Sequence, residues 1–276
     1  MVYNISDEAI RGPGPQLRAP ARIIGKGAEA TIQVDETRSV VTKLYQKRPG
    51  ATGAFDAAER EYRMLQRFAH ALRAVPGVSC PAPLALIEDI PCLCMRFVDG
   101  VPLHDYAACT TLSEAELRGI AERLATGLRV YLDIAGEPYH DFCMQNALYR
   151  PAQRGIVLLD LGIPESQRPL HGRYTDAQLS VGNFLGCALY ELARPARIRP
   201  GPARRQFARI YLCLHEQLLR DGVLRASDLP WVEEVARHTY RRLTRNGGAL
   251  RRGWYLAFVA VNALRLARTR RMMFNS

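Results

Sequence analysis

Two short segments in the middle of the chain carry the residues best suited to chemistry. Asp141-Phe-Cys-Met-Gln-Asn146 sets an Asp and an Asn five residues apart. Ile156-Val-Leu-Leu-Asp160-Leu-Gly162 then sets a second Asp at the end of an apolar run, 19 residues after the first. Phosphoryl transfer requires a carboxylate that orients or receives the acceptor hydroxyl proton, and hard oxygen ligands for a metal that bridges nucleotide phosphates. Asp141 suits the first task; Asn146 and Asp160 suit the second. Taken singly, either motif reads as a loop satisfying its own polar groups. Together, around a predicted hairpin, they read as one reaction centre.

The elements that must hold these residues follow from periodicity. Residues 147–149 and 156–159 read as two short strands joined by the turn Arg150–Gly155. Before them, Ser113-Glu-Ala-Glu116 is a capping box that opens a helix to about Ile134. The first hundred residues read as strands with one helix: 21–25, 30–34, 39–45, 81–87 and 92–98 as strands, and Phe55–Leu72 as an amphipathic helix with apolar positions at Phe55, Ala58, Tyr62, Leu65, Phe68 and Leu72. That order predicts a small antiparallel sheet with one covering helix. Beyond the second hairpin the spacing predicts helices over 178–193, 202–220, 229–243 and 250–271. The fold class expected is α+β and bilobal, with a nucleotide-binding lobe over 1–98 and a larger, mainly helical catalytic lobe over 99–276.

In this order the motifs resemble the protein-kinase-like phosphotransferases, from about Ile23 to Arg194. Gly25-Lys-Gly27-Ala28-Glu-Ala30, between two strands, is similar to the glycine-rich loop whose backbone approaches phosphates. By the same resemblance, Lys43 on the third strand contacts the phosphates, and Glu61 on the following helix pairs with it, with Glu59 as the rival. Met95-Arg96-Phe97-Val98 resembles the hinge, with Met95 as gatekeeper and the Arg96 carbonyl and Val98 amide facing adenine. Met95 and Phe97 also read as strand core. The resemblance implies ATP and Mg2+ as cofactors, Asp141 as the catalytic carboxylate, and Asn146 and Asp160 as metal ligands.

The wording of residues 27–30 narrows the resemblance to the atypical kinases of the KEOPS complex, the RIO kinases and the lipopolysaccharide-core sugar kinases. Only residues 163–176 separate the metal motif from the next helix, and no Ala-Pro-Glu motif follows. A small or glycan-linked acceptor is therefore expected over a docked peptide. Four positions depart from the common pattern: Tyr139 and His140 lead into Asp141, Cys143 follows it, and Ala30 stands for a third glycine. Tyr139 is expected to hold the loop by packing and a hydroxyl bond. His140 reads as loop support before it reads as an extra acid–base group. With Cys143 in place of a cation or donor, the γ-phosphate needs another partner, for which an Arg of the last third is suited.

Composition bounds the rest. In 276 residues, 48% hydrophobic and 24% charged is ordinary for a soluble domain, but the net charge of +11 is not. From Arg194 onward there are 18 Arg, no Lys and 5 acidic residues, so the whole positive excess lies in the last third. Two readings stand: solvated helix faces in a chain that prefers Arg, or a field for an anionic acceptor or an anionic membrane surface. For the terminal helix, docking with a solvated Arg face is the weightier of the two. No aromatic interleaving or separate RNA-binding motif accompanies the charge, so nucleic acid is not expected as a partner. The seven Cys show no metal or disulfide spacing, which points to reduced thiols and a cytoplasmic setting. No signal-peptide pattern or membrane-spanning run is seen, and peripheral contact would be with the inner membrane surface. The expected reaction is transfer of the ATP γ-phosphate to a hydroxyl, preferably of a sugar on a lipid-linked glycan or a small molecule. The rivals are an atypical protein Ser/Thr kinase or ATPase within a complex, and a non-catalytic nucleotide-binding regulator.

Overall fold

The computed structural model describes residues 2–4, 22–26, 30–35, 39–46, 53–87, 89–162, 172–193 and 202–244. These build two lobes. The first contains β1 (Val2–Asn4), β2 (Arg22–Lys26), β3 (Ala30–Asp35), β4 (Val40–Tyr45), helix α1 (Ala54–Ala71), β6 (Pro83–Ile87) and β7 (Cys92–Arg96), while β5 (Val78–Ser79), between α1 and β6 in the chain, pairs in the second lobe. Six of these strands form one antiparallel sheet in the order β1-β6-β7-β4-β3-β2. Strand alternation splits β7 between two faces. Leu93 and Met95 join Ala58, Tyr62, Leu65 and Phe68 of α1 in the main core. Cys92 and Cys94 point the other way, into a small cluster with Ala85, Val40 and Leu44. There the Cys92 thiol bonds the Cys94 sulfur, which brings the Cys94 thiol down to about 7 against the opposing effect of burial. All seven cysteines are free thiols.

The second lobe contains β8 (Val101–Pro102), α2 (Leu103–Cys109), α3 (Glu114–Ala135), β9 (Ala147–Arg150), β10 (Gly155–Leu158), α4 (Asp176–Ala193), α5 (Pro202–Arg220) and α6 (Leu229–Thr244). The capping box is present: Glu116 N–H donates to Ser113 Oγ at 3.3 Å, and Ser113 N–H donates to the Glu116 carboxylate at 2.9 Å. Gly136, at φ 64°, ends α3 in the left-handed conformation that glycine tolerates.

The expected two-strand hairpin is the middle of a four-stranded sheet, β5-β10-β9-β8. Its parallel pair, β5 with β10, takes Val78 and Ser79 out of the first hundred residues and into the second lobe's sheet. Ile156 N–H donates to the Gly77 carbonyl at 2.8 Å at the start of that pairing. Strand β7 also ends earlier than expected. It stops at Arg96, although Phe97 N–H still bonds the Ser39 carbonyl at 2.7 Å in the next rung of the β4–β7 register, and Phe97 is 40% exposed rather than in the core. The predicted helix over 250–271 lies outside the described residues.

Helices α4 and α6 approach closely because α4 presents glycine where they cross. A Cβ added at Gly182 would sit 2.5 Å from Val235 Cβ and 3.0 Å from the Val232 carbonyl. Between them, Thr239 Oγ1 donates to Asn183 Oδ1 in a buried bond. Gly182→Ala should therefore lower stability by roughly 1–3 kcal/mol, the usual range for overpacking. Urea unfolding checks this; an unchanged midpoint would mean that the pair opens without cost.

Candidate active site

The centre is assembled from four elements. Strand β4 carries Lys43 into the interior, where its residue is 8% exposed. Burying an ammonium is costly unless carboxylates surround it, and two do. Lys43 Nζ lies 2.7 Å from Glu61 Oε2 and also bonds Asp160 Oδ1. Glu61 comes from the buried face of α1, where it is the one acidic residue among Ala58, Tyr62, Met64, Leu65 and Phe68. Glu59 instead pairs with Arg63 on the surface, at 2.6 Å. Burial alone would lower the Lys43 ammonium, but the charges of Asp160 and Glu61 outweigh it and hold it well above its ordinary value. Lys43 is thus a fixed cation across the physiological range.

Tyr45 completes this cluster and was not among the expected residues. Its hydroxyl donates to the same Glu61 oxygen, and its ring lies 5.2 Å from Lys43 Nζ. The signal was available: residues two apart on a strand share a face, so Lys43 and Tyr45 point together. Asp160 follows β10 at φ 57°, a left-handed conformation that Asp and Asn adopt more readily than other side chains. Two residues on, a Cβ at Gly162 would come 3.1 Å from Glu61 Oε2. Glycine there lets the segment after Asp160 lie directly against the Lys43–Glu61 pair.

On the loop before β9, Asn146 Nδ2 donates to the Asp141 carbonyl at 3.1 Å. That bond orients the Asn146 amide and uses its donor, so its Oδ1 is the atom left for a cation. Leu159 N–H donates to the Asn146 carbonyl at 2.8 Å, which ties the two motifs across the hairpin. Asn146 Oδ1 and the Asp160 carboxylate are hard oxygen donors of the kind Mg2+ accepts. Among the described residues there is no cluster of three or more His, Cys, Asp or Glu side chains that could hold a metal. The pair fits a cation that takes its remaining ligands from phosphates and water, as Mg2+ does at nucleotides.

Tyr139 anchors the loop from behind. Its hydroxyl donates to the Leu159 carbonyl, its N–H donates to Ser180 Oγ at 2.9 Å, and its ring stacks on Tyr131 at 4.6 Å. Burial holds its phenol well above the usual range, so it stays a donor. Tyr139→Phe strands a buried carbonyl and should cost about 1–3 kcal/mol in a denaturation experiment. An unchanged unfolding midpoint would show that packing alone holds the loop. Cys143 is also buried, with its thiol bonded to the Cys187 sulfur of α4. It therefore offers no cation to a phosphate.

Of the other expected residues, Met95 is buried opposite Val41 in the β4–β7 ladder, whereas Arg96 is exposed at the strand end, its N–H bonded to the Ala82 carbonyl at 2.8 Å. Val98 is half-buried just beyond it. Gly25 lies in β2 beside a register shift. Gly27 and Ala28 lie outside the described residues, as do Arg194, Arg197, Arg199, Arg245, Arg251 and Arg252. No helix among the described residues is long and apolar enough to cross a membrane.

A strand lobe and a helical lobe that meet at a Lys–Glu–Asp cluster, beside an Asp–Asn loop, define a phosphotransferase of kinase-like architecture. The chain belongs to the phosphotransferase enzyme family (APH), whose model matches residues 20–237. Fold and family are consistent with use of ATP and Mg2+. A solved structure of Rad53 1-466 in complex with AMP-PNP is similar at 20% identity and a TM-score of 0.40, covering 80% of this chain. The chain spans 58% of that structure's chain. No protein of curated function matches significantly.

Proposed function

We propose that this ATP-dependent phosphotransferase transfers the γ-phosphate to an acceptor hydroxyl, with Asp141 receiving or orienting the hydroxyl proton. Lys43, fixed by Glu61, positions the nucleotide phosphates, and Asn146 with Asp160 hold Mg2+. Met95, the Arg96 carbonyl and the Val98 amide face the adenine, and Gly25, Gly27 and Ala28 cover the phosphates. The observation that carries this reading is the single cation Lys43 shared by Glu61 and Asp160, residues 18 and 117 positions away in the chain. A buried Lys with two carboxylates has no need of the second for charge balance. An exposed-side Asp on the same ammonium is explained if a metal and phosphates take it over when nucleotide binds.

The acceptor we favour is a sugar hydroxyl on a lipid-linked glycan of lipopolysaccharide-core type, or a related small molecule. Support comes from the wording of residues 27–30 and from the short stretch between Gly162 and α4, which leaves little chain for a peptide-docking platform. The Arg-rich last third would draw an anionic acceptor or an anionic inner membrane surface. Incubating the protein with labelled ATP and a cell lysate, then separating protein, lipid-glycan and small-molecule fractions, tests the assignment. Label in the glycan or small-molecule fraction is expected. Label confined to protein would replace it with a protein kinase, and ATP binding without any transfer would replace it with a nucleotide-binding regulator.

A further inference from the structure

Away from Lys43 and Asp160, one cavity combines volume with concentrated charge. It measures ≈ 310 Å³, lies where the turn before α4 meets α6, and is lined by Arg173, Tyr174, Glu234, Arg237, His238 and Arg241. Three guanidinium groups and an imidazole face a single carboxylate. That carboxylate is already engaged, since Glu234 Oε1 accepts from Arg173 Nη2 at 2.7 Å. Arg173 is held from a second side by the Tyr174 ring, 5.3 Å away, and Tyr174 is braced edge-on by Trp231 at 6.2 Å. Arg237 and Arg241 are one turn apart on α6, so their side chains rise on the same face. Arg237 is steadied by its Nε bond to the Glu233 carbonyl at 3.3 Å.

The site therefore has one pre-oriented Arg, two more on an adjacent helix face, and a surplus of positive charge. Guanidinium forks match the oxygens of phosphate, and the volume is that of a small-ligand pocket. It is also tied to the reaction centre. Ser180, on the second turn of α4, accepts the Tyr139 N–H at 2.9 Å, and Tyr139 stands two residues before Asp141. The path from Tyr174 through Ser180 and Tyr139 to Asp141 is on the order of 20 Å. An extended phosphorylated acceptor such as an oligosaccharide covers that path.

We propose that this cavity holds a phosphate monoester carried by the acceptor, gripped by Arg173, Arg237 and Arg241 while another hydroxyl of the same molecule is presented to Asp141. This rests on the phosphotransferase reading of the Asp141 centre. In the step itself the γ-phosphorus–oxygen bond of ATP breaks and a new bond forms to the acceptor oxygen. The hydroxyl proton passes to Asp141, ADP leaves, and the gripped phosphate is unchanged.

The test is equilibrium dialysis with the nucleotide site saturated by AMP-PNP and Mg2+. Radiolabelled inorganic phosphate, glucose 6-phosphate and glucose are compared, and binding to phosphatidylcholine vesicles with and without phosphatidic acid is followed by co-sedimentation. Saturable binding of the two phosphate-bearing probes, with none of glucose, is expected for a soluble source. Binding only to the phosphatidic acid vesicles would place the phosphate on a lipid. Arg237→Gln and Arg241→Gln keep good helix formers at exposed positions, and each should weaken binding by roughly ten-fold or more, the loss of a charge-assisted bond. Arg173→Gln provides an independent variant outside α6. Equal retention of phosphate and glucose, or affinities unchanged in all three variants, overturns the proposal. Wild-type ATP turnover is scored separately: its absence with any acceptor would remove the phosphotransferase reading and leave the phosphate-binding result standing.

Discussion

Asp141→Asn should lower phosphate transfer by roughly 10²–10⁴-fold, the usual contribution of a positioned general base, while leaving affinity for AMP-PNP and Mg2+ near that of the wild type. The substitution keeps size and hydrogen-bonding shape but removes the negative charge that accepts a proton. The backbone role of the residue survives, because Asn146 Nδ2 bonds the Asp141 carbonyl and not its side chain. Tyr139, which anchors the loop through Leu159 and Ser180, is also untouched. A loss of rate with nucleotide binding intact would therefore belong to the chemical step. Single-turnover transfer beside a nucleotide titration separates the two; transfer at the wild-type rate would remove Asp141 from the mechanism.

Lys43→Met should cost about 3–5 kcal/mol of stability at about pH 8, because it leaves Glu61 without its cation. Glu61 is 2% exposed and cannot recover its charge from water. Asp160 contributes less to that cost, since its side chain is 39% exposed and can be rehydrated. The Tyr45 hydroxyl still donates to Glu61, which places the effect toward the lower end of the range. The loss should be smaller at about pH 5. Burial already raises the Glu61 carboxyl in the wild type, with the Lys43 charge opposing it. Without Lys43 it rises further, so the folded variant holds a proton that the unfolded chain has released, and its stability falls more steeply as pH rises. The wild-type protein feels less of this over the same range, because Lys43 still opposes burial at Glu61. Lys43 is raised on folding, so its contribution is complete below the unfolded value of about 10.4 and is lost only above that, as pH rises through the higher folded value. The stability gap between the two proteins should thus widen from about pH 5 to about pH 8 in urea melts. A constant gap, or one under about 1 kcal/mol, would show that Glu61 is not relying on Lys43.

Residues whose neighbours lie close in sequence, or whose type is out of place in its pattern, were readable before any fold was known. Ser113 with Glu116 forms such a local box, whereas Lys43 and Glu61 were reached through the resemblance to the kinase-like phosphotransferases, in whose order they stand. Strands β5 and β8 and helix α2 were not readable. Two residues show no period, and a seven-residue helix barely more, so Val78–Ser79 became a strand only because β10 came alongside it. Gln206 is a similar case: it is buried on α5 and its side chain bonds Leu112 N–H and the Ala107 carbonyl, about a hundred positions earlier. Nothing near Gln206 announces that role. Phe97 reads as strand core in sequence, and its N–H does extend the ladder to Ser39, but the residue is 40% exposed, because burial there is decided by packing between elements.

The chain's own order of residues, with its resemblance to the kinase-like phosphotransferases, was enough to expect an α+β bilobal fold and to nominate Asp141, Asn146 and Asp160, because phosphoryl chemistry would constrain residue type and local spacing. What only the folded structure decided is which groups share the same space: one ammonium between Glu61 and Asp160, Tyr45 beside it, Cys143 turned away to Cys187, and three arginines around one cavity. These meetings depend on side-chain direction and on packing between elements far apart in the chain, and neither quantity is written in local sequence.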